Sequence, residues 1–119
     1  MKAPEALRLV AALALAAGAF LAATPGHAQA IDEAAAKATF KRNDCGKCHA
    51  PDRDKKGPAL QKIAKELKSK GDAEQRAYKN ITTNPKVKLL DSGKEEEHKA
   101  IDTKDQKEIK NLIAWVLSH

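Results

Sequence analysis

Methionine, cysteine and aromatic residues are scarce in this chain of 119 residues. It contains one methionine, two cysteines, two phenylalanines, one tyrosine and one tryptophan. The cysteines, Cys45 and Cys48, lie too close together in the chain to cross-link distant segments, which excludes a disulfide framework. A chain of this length has difficulty burying enough apolar surface by itself, and small domains commonly gain stability from a metal or a cofactor. We therefore expect a bound group to complete the core.

The N-terminal apolar run is too short to span a membrane. Residues 9–23 form a run of 15 residues, whereas a spanning helix needs about 20. Lys2 and Arg8 precede the run and the cleavage-site pattern Ala28-Gln29-Ala30 follows it, an order typical of a secretory signal peptide. An uncleaved membrane anchor is the alternative. We expect cleavage after Ala30, export to the periplasm, and no stable membrane insertion of the mature residues 31–119.

The mature chain has helical rather than strand patterning. No internal repeat or convincing alternating strand is present, so we expect one all-α domain over residues 31–119. Helices are predicted over four segments: Asp32–Arg42, Leu60–Lys70, Ala73–Ile81 and about Thr103–Ser118. The stretch Thr83–Ile101 is predicted to be a long loop, and such loops in compact domains usually carry function.

Individual residues define the ends and inner faces of these helices. Asp32 is a candidate cap for the first helix, and Thr103-x-x-Gln106 is a capping-box start for the last. The residues expected to face inward from the second and third helices are Leu60, Ile63, Ala64, Leu67, Ala77, Tyr78 and Ile81.

Cys45-Gly46-Lys47-Cys48-His49 is a C-x-x-C-H motif, the attachment signature of a c-type haem. Each thiol adds to one vinyl group of the porphyrin, and the histidine that follows reaches the iron from one side of the ring. Three alternatives are a thioredoxin-like redox site, half of a zinc site and a structural disulfide. The first needs a βαβ context and the second needs further ligands, and the sequence shows neither.

Three stretches closely resemble the small bacterial monohaem class I cytochromes c: Phe40–Ala50, Lys56–Leu60 and Ile113–Ser118. The resemblance implies a cytochrome c fold of about four helices wrapped around one covalent haem c. It implies that the first and last helices cross near Phe40 and Trp115, and that the carbonyl of Pro58 accepts a hydrogen bond from His49. Such a bond fixes the imidazole tautomer and raises its basicity as a ligand. Without the resemblance, Gly57-Pro58 is a simple turn before a helix.

The chain departs from that family at the sixth iron ligand. Typical members use a methionine in the loop before the last helix, but Met1 is the only methionine and is removed with the signal peptide. His98 lies in the corresponding loop, and we expect it to bind the iron opposite His49. Weaker candidates are His119, Lys94, Lys99 and Asn84. Two further alternatives are an open sixth position and a His98 that is simply solvated among its charged neighbours.

The expected function is single-electron transfer between redox proteins, without enzymatic activity. Two strong axial nitrogens keep the iron six-coordinate in both redox states and leave no free position for a substrate. One alternative is a gas-binding or sensing haem protein with a labile sixth ligand. The other is a haem subunit of a larger oxidoreductase, although no other catalytic constellation is present.

Charge is distributed unevenly along the mature chain. We expect this chain to be a monomer. Residues 31–70 contain eleven basic and six acidic residues, whereas residues 71–119 contain nine of each. In the resembling family the exposed haem edge lies near the second cysteine, so Lys47, Lys55, Lys56 and Lys62 are expected to surround it and to attract acidic redox partners. The alternative is a basic surface that only aids solubility. Nucleic acid is not an expected partner of an exported protein.

Overall fold

The computed structural model describes residues 30–119, so the predicted signal peptide lies almost entirely outside the described residues. Helices occupy four segments: α1 Glu33–Arg42, α2 Leu60–Lys70, α3 Ala73–Thr82 and α4 Gln106–Leu117. A single 3-10 turn spans Cys45–Lys47, and two short strands span Lys86–Lys88 (β1) and Glu95–Glu97 (β2). The all-α prediction is confirmed, and within residues 30–119 no helix is long and apolar enough to cross a membrane.

Helix α1 begins where its cap was predicted. The carboxylate of Asp32 accepts a hydrogen bond of 2.9 Å from the backbone N–H of Ala35, which satisfies one of the free donors of the first turn. The backbone of Asp32 is in turn held by Asn111 of α4. The helix ends at Arg42, and Asn43 is its C-cap.

Helices α1 and α4 pack against each other, as the family resemblance implied. The rings of Phe40 and Trp115 meet edge to face, with centroids 5.4 Å apart, a favourable aromatic geometry. Ala36 is fully buried at the interface, and its small side chain lets the two backbones approach. Burial of this apolar surface is the main favourable contribution to folding.

The remaining core residues come from all four helices and from the segment before α4. The expected stripe of α2 is confirmed, since Leu60, Ala64 and Leu67 are buried and Ile63 is partly buried against them. The buried apolar cluster consists of Ala36, Leu60, Leu67, Ala77, Ile101, Ile109, Leu112, Ile113 and Trp115.

Two details of the sequence prediction were wrong. Tyr78 was expected to face inward, but it is exposed and its hydroxyl accepts a hydrogen bond of 3.2 Å from the side chain of Gln106. Helix α4 begins at Gln106 rather than at Thr103, because Asp105 provides the cap by accepting a hydrogen bond from the N–H of Lys107. A carboxylate directly before the first turn satisfies the helix donors without the predicted capping box.

The predicted loop Thr83–Ile101 contains a β-hairpin. Strands β1 and β2 are antiparallel, with Lys86 opposite Glu97, Val87 opposite Glu96 and Lys88 opposite Glu95. Oppositely charged residues that face each other across strands stabilise such pairs. Gly93 adopts a positive φ of 69° in the turn, a conformation that glycine adopts without steric cost. The hairpin has no buried face of alternating apolar residues, which explains why the sequence pattern did not reveal it.

An ion network connects the end of α1 to the start of α4. The guanidinium of Arg42 donates hydrogen bonds of 2.9 and 3.1 Å to the carboxylate of Asp102 and also contacts the carboxylate of Glu108. Glu108 accepts a further bond of 2.8 Å from the hydroxyl of the buried Thr39. The hydrogen bonds from Arg42 are the main cause of the lowered pKa of both Asp102 and Glu108.

This network predicts an acid-sensitive contribution to stability that depends on Arg42. A carboxylate with a lowered pKa stabilises the fold fully above its unfolded value, near 4, and this contribution disappears as pH falls through the folded value. We expect the melting temperature of the parent protein to decrease from about pH 5 downward. In Arg42→Gln the melting temperature at pH 7 should be lower, and its further decrease in acid should be smaller.

The matched control is Lys41→Gln, which removes one positive charge from the same helical turn outside the network. Its melting temperature should follow the pH dependence of the parent protein. Equal pH dependence in Arg42→Gln and the parent would contradict a stabilising role for the network.

Candidate functional site

The C-x-x-C-H segment follows α1 directly and forms a tight turn. Asp44 has a left-handed backbone with φ of 58°, and the N–H groups of Cys48 and His49 both donate to the carbonyl of Cys45 at 3.1 and 3.0 Å. Both cysteine side chains are half-buried.

His49 is oriented by the backbone that follows it. Its Nδ1 lies 2.7 Å from the carbonyl oxygen of Pro58. Because a carbonyl only accepts hydrogen bonds, Nδ1 carries the proton and Nε2 keeps its lone pair for a metal. The hydrogen bond that the resemblance implied between His49 and Pro58 is therefore present, and Gly57-Pro58 is more than a simple turn.

The lysines that were expected to surround the site differ in their surroundings. The Lys55 amine donates to the carbonyl of Gly46, inside the C-x-x-C-H turn, and its side chain is half-buried. Lys47 pairs with Asp44 at 3.3 Å, and Lys62 pairs with Asp54. Lys55 therefore supports the turn, and Lys47 and Lys62 are partly neutralised, while the expectation that these lysines surround a haem edge stays a prediction.

His98 follows strand β2 and is held at its backbone. Its N–H donates to the carbonyl of Pro85 at 2.8 Å, and its own carbonyl accepts a hydrogen bond of 3.0 Å from the side chain of Asn84. Asn84, a weaker ligand candidate in the sequence, therefore supports the His98 backbone instead. Sequence analysis missed this supporting role, because it depends on hairpin pairing that brings residues 84 and 98 together.

The structure brings His98 to face His49. The two ring centroids are 6.2 Å apart and the ring planes are inclined by 39°. A metal held between two imidazoles through bonds of about 2 Å, with about 1 Å from each nitrogen to its ring centre, separates the centroids by about 6 Å. The observed separation therefore fits one metal atom between the rings, as in a haem with two histidine ligands.

The surroundings of His98 favour a neutral imidazole. Burial is the main cause of the lowered pKa of His98, and the neighbouring His49 adds to it. The main chains of Asn80 and Lys99 lie close enough to oppose this shift weakly, but within residues 30–119 the buried Nδ1 has no partner with full hydrogen-bond geometry. A metal binds only the neutral form of histidine, so the donors present fit a haem iron.

The other candidate ligands lie in different environments. The Lys99 amine is 3.5 Å from the carboxylate of Asp44. Lys94 is exposed in the hairpin turn. His119 stacks edge to face on Trp115, with centroids 4.7 Å apart, and its Nδ1 contacts the carbonyl of the same residue at 2.9 Å. His98 is therefore the candidate whose ring faces His49.

Comparisons with known proteins give a family match and similar solved structures. The family model for cytochrome c matches residues 33–119. No significant match was found among curated protein sequences. Among solved structures, the class 1 cytochrome MtoD from Sideroxydans lithotrophicus ES-1 is 43% identical with a TM-score of 0.69, and the alignment covers 75% of this chain and 97% of that protein.

A second solved structure supports the fold alone. The N64Del mutant of Nitrosomonas europaea cytochrome c552 is 24% identical with a TM-score of 0.55, and the alignment covers 69% of this chain and 96% of that one. The family match, the C-x-x-C-H turn and the four-helix fold lead to one conclusion. This chain belongs to the cytochrome c family, whose members transfer electrons, and it carries one covalent haem c.

Proposed function

We propose that this cytochrome is an exported single-electron carrier whose haem iron is bound by His49 on one side and His98 on the other. The observation that carries the proposal is the opposition of the two imidazole rings at 6.2 Å. Cys45 and Cys48 form the thioether bonds, and Pro58 orients His49 through the 2.7 Å contact of its carbonyl. The C-x-x-C-H spacing is the sequence support for these attachment roles.

Gly57 supports the assignment of His49 as the ligand attached through the motif. A Cβ atom at Gly57 would lie 2.5 Å from Cε1 and 2.9 Å from Nδ1 of the His49 ring, which is too close for real atoms. The backbone of Gly57 therefore packs directly against the imidazole. Together with the Pro58 carbonyl, this contact holds the ring in one orientation.

Each group has a separate contribution to electron transfer. The haem supplies the one-electron Fe(III)/Fe(II) couple when bound. His49 and His98 supply two nitrogen donors that are the same in both redox states, so little rearrangement accompanies reduction. Residues 31–119 contain no methionine, and His/Met ligation is the arrangement that raises the potential. We therefore propose a lower potential than that of a His/Met relative with the same fold.

Export is supported by the sequence of residues 1–30. A basic start, a 15-residue apolar run and the Ala28-Gln29-Ala30 pattern form a secretory signal. Residues 31–119, which remain after the proposed cleavage, include all the residues that the family model matches. We propose that the mature protein is a periplasmic monomer.

The proposed partners are redox proteins with acidic surfaces. The excess of basic residues is confined to residues 31–70, which include the attachment motif. Lys56 is exposed next to Gly57, and its carbonyl accepts a hydrogen bond of 2.8 Å from the N–H of Leu90, a residue with 54% exposure. Protein interfaces commonly have an apolar centre and a polar rim. The exposed Leu90 side chain beside the exposed Lys56 offers both kinds of contact to a partner.

His98→Ala tests the proposed sixth ligand. The thioether bonds and His49 are unchanged, so the haem should remain attached. The optical spectrum should change from low-spin to high-spin, and the reduced protein should bind carbon monoxide, because one axial nitrogen is lost. The control is His119→Ala, which removes a histidine outside the site. An unchanged low-spin spectrum in His98→Ala would reject His98 as the ligand, and ready carbon monoxide binding by the parent protein would favour the gas-binding alternative.

Gly57→Ala tests the orientation of His49. The new methyl group must displace the ring or the backbone, and such overpacking costs about 1–3 kcal/mol. We expect a lower melting temperature and a changed low-spin spectrum. The matched control is Gly46→Ala, whose methyl group would meet Phe40 at an ordinary 3.5 Å. Equal effects of the two substitutions would show that the packing of Gly57 on His49 is not needed.

The ionic-strength dependence of electron transfer tests the proposed docking. Rates with an acidic redox protein should decrease as ionic strength rises from about 0.01 to 0.15 M, because the Debye length shortens from about 30 to 8 Å. Lys56→Gln should slow the reaction at low salt more than Lys37→Gln, although both variants lose one charge. Rates that are independent of salt would contradict steering by charge.

A further inference from the structure

Asn43 lies between the haem-attachment motif and the segment that contains His98. It is the C-cap of α1 and lies two residues before Cys45, yet its side chain is buried, with a residue exposure of only 3%. Its Nδ2 donates a hydrogen bond of 2.9 Å to the carbonyl of Thr39 in the last turn of α1. A carboxamide with so little exposure must obtain its hydrogen bonds from the protein.

The remaining hydrogen bonds of Asn43 go to Asp102, four residues after His98. The N–H of Asp102 donates to Oδ1 of Asn43 at 2.9 Å, and Nδ2 of Asn43 donates to the Asp102 carboxylate at 3.1 Å. This reciprocal pair joins the attachment segment to the far end of the segment that contains His98. At the near end, the N–H of His98 is bound to the carbonyl of Pro85.

The hairpin that precedes His98 has little buried surface, whereas Ile101, just before Asp102, is buried and its N–H donates to the carbonyl of Ile81 at 2.9 Å. Every residue from Leu90 to Glu97 is exposed, and Lys99 is exposed as well. Ordering an exposed segment costs backbone entropy at every residue. The contacts that offset this cost are therefore few. Those that reach the chain just before Cys45 include Lys99 with Asp44 and Arg42 with Asp102, which are exposed, and Asn43 with Asp102, in which the Asn43 side chain is buried.

We propose that Asn43 is a positioning residue for the sixth ligand: its reciprocal pair with Asp102 keeps the His98 segment closed over the haem. This inference rests on the proposed function, in which His98 binds the iron. The side chain of Asn43 forms hydrogen bonds with Thr39 and Asp102 and with neither imidazole. It therefore acts on His98 through Asp102. Loss of the pair leaves the Asp102 N–H without its acceptor and removes the buried link between α1 and the ligand segment, so that the exposed contact of Arg42 with Asp102 remains.

The chain offers a matched control in Asn111. Its side chain forms the same kind of reciprocal pair, accepting from the N–H of Asp32 at 2.9 Å and donating to the carbonyl of Asp32 at 2.8 Å. That pair joins the other end of α1 to α4 and does not involve the His98 segment. Asn43→Ala removes two hydrogen bonds to Asp102, and Asn111→Ala removes two hydrogen bonds to Asp32.

The test measures how fast carbon monoxide replaces the sixth ligand in the reduced, full-length protein with its haem attached. Carbon monoxide binds only after His98 leaves, so its rate at saturating gas reports how often the segment opens. We expect Asn43→Ala to increase this rate about tenfold or more, as expected when a buried hydrogen-bonded partner is lost. Asn111→Ala should change it less than twofold, even where its melting temperature decreases.

A second variant and a second measurement cover the case in which Asn43→Ala folds poorly. Asn43→Asp keeps the shape and the acceptor for Asp102 N–H, but it removes the Nδ2 donor and places two carboxylates together. It should also increase the rate, and hydrogen exchange at the His98 N–H should accelerate in both Asn43 variants and not in Asn111→Ala.

Three results would count against the positioning role of Asn43. Rates in the Asn43 variants that match Asn111→Ala would overturn the positioning role while leaving His98 as the ligand. Loss of covalent haem in both Asn43 variants would also overturn it, because Asn43 would then serve attachment. A low-spin spectrum that persists in His98→Ala would instead reject the proposed function, and the positioning role with it.

Discussion

The site depends on holding two imidazole rings 6.2 Å apart from distant parts of the chain. His49 reaches its position through local structure, since the C-x-x-C-H turn, Gly57 and the Pro58 carbonyl all lie within ten residues of it. His98 has no such local frame. Its position depends on a charged, exposed hairpin and on contacts with segments far away in sequence. The two proposed ligands therefore differ in how strongly the protein itself holds them.

The contacts between α1 and α4 provide the frame for this arrangement. Phe40 and Trp115 pack edge to face, and the buried Ala36 allows close approach of the helices. At one end of α1, Asp32 is bound to Asn111, and at the other, Arg42 and Asn43 are bound to Asp102. Because the attachment motif follows α1 and the His98 segment precedes α4, packing of these helices brings His49 and His98 to the same place.

The small apolar core explains why the fold and the cofactor depend on each other. Phe40 and Trp115 are the only large aromatic side chains packed in or against the buried cluster within residues 30–119, and a domain of this size has limited apolar surface to bury. A covalently attached porphyrin adds a large apolar body, and the proposed bonds from its iron to two histidines would add cross-links between segments. The scarcity of methionine and aromatic residues is consistent with a core that a cofactor completes.

Motif spacing and helical periodicity are local properties of the chain, and they were enough to predict the four helices and the haem-attachment motif. The family resemblance added the contact of His49 with Pro58 and the loop position that made His98 a candidate ligand. Three contacts became visible only in the folded chain: the hairpin pairing of residues 86–97, the bond from the Lys55 amine to the carbonyl of Gly46, and the pair between Asn43 and Asp102. Each of these is a contact between exposed or polar groups without apolar periodicity, and such contacts are fixed by packing between segments rather than by local pattern. For the same reason, the sequence suggested that His98 could be a ligand, but only the fold placed its ring opposite His49.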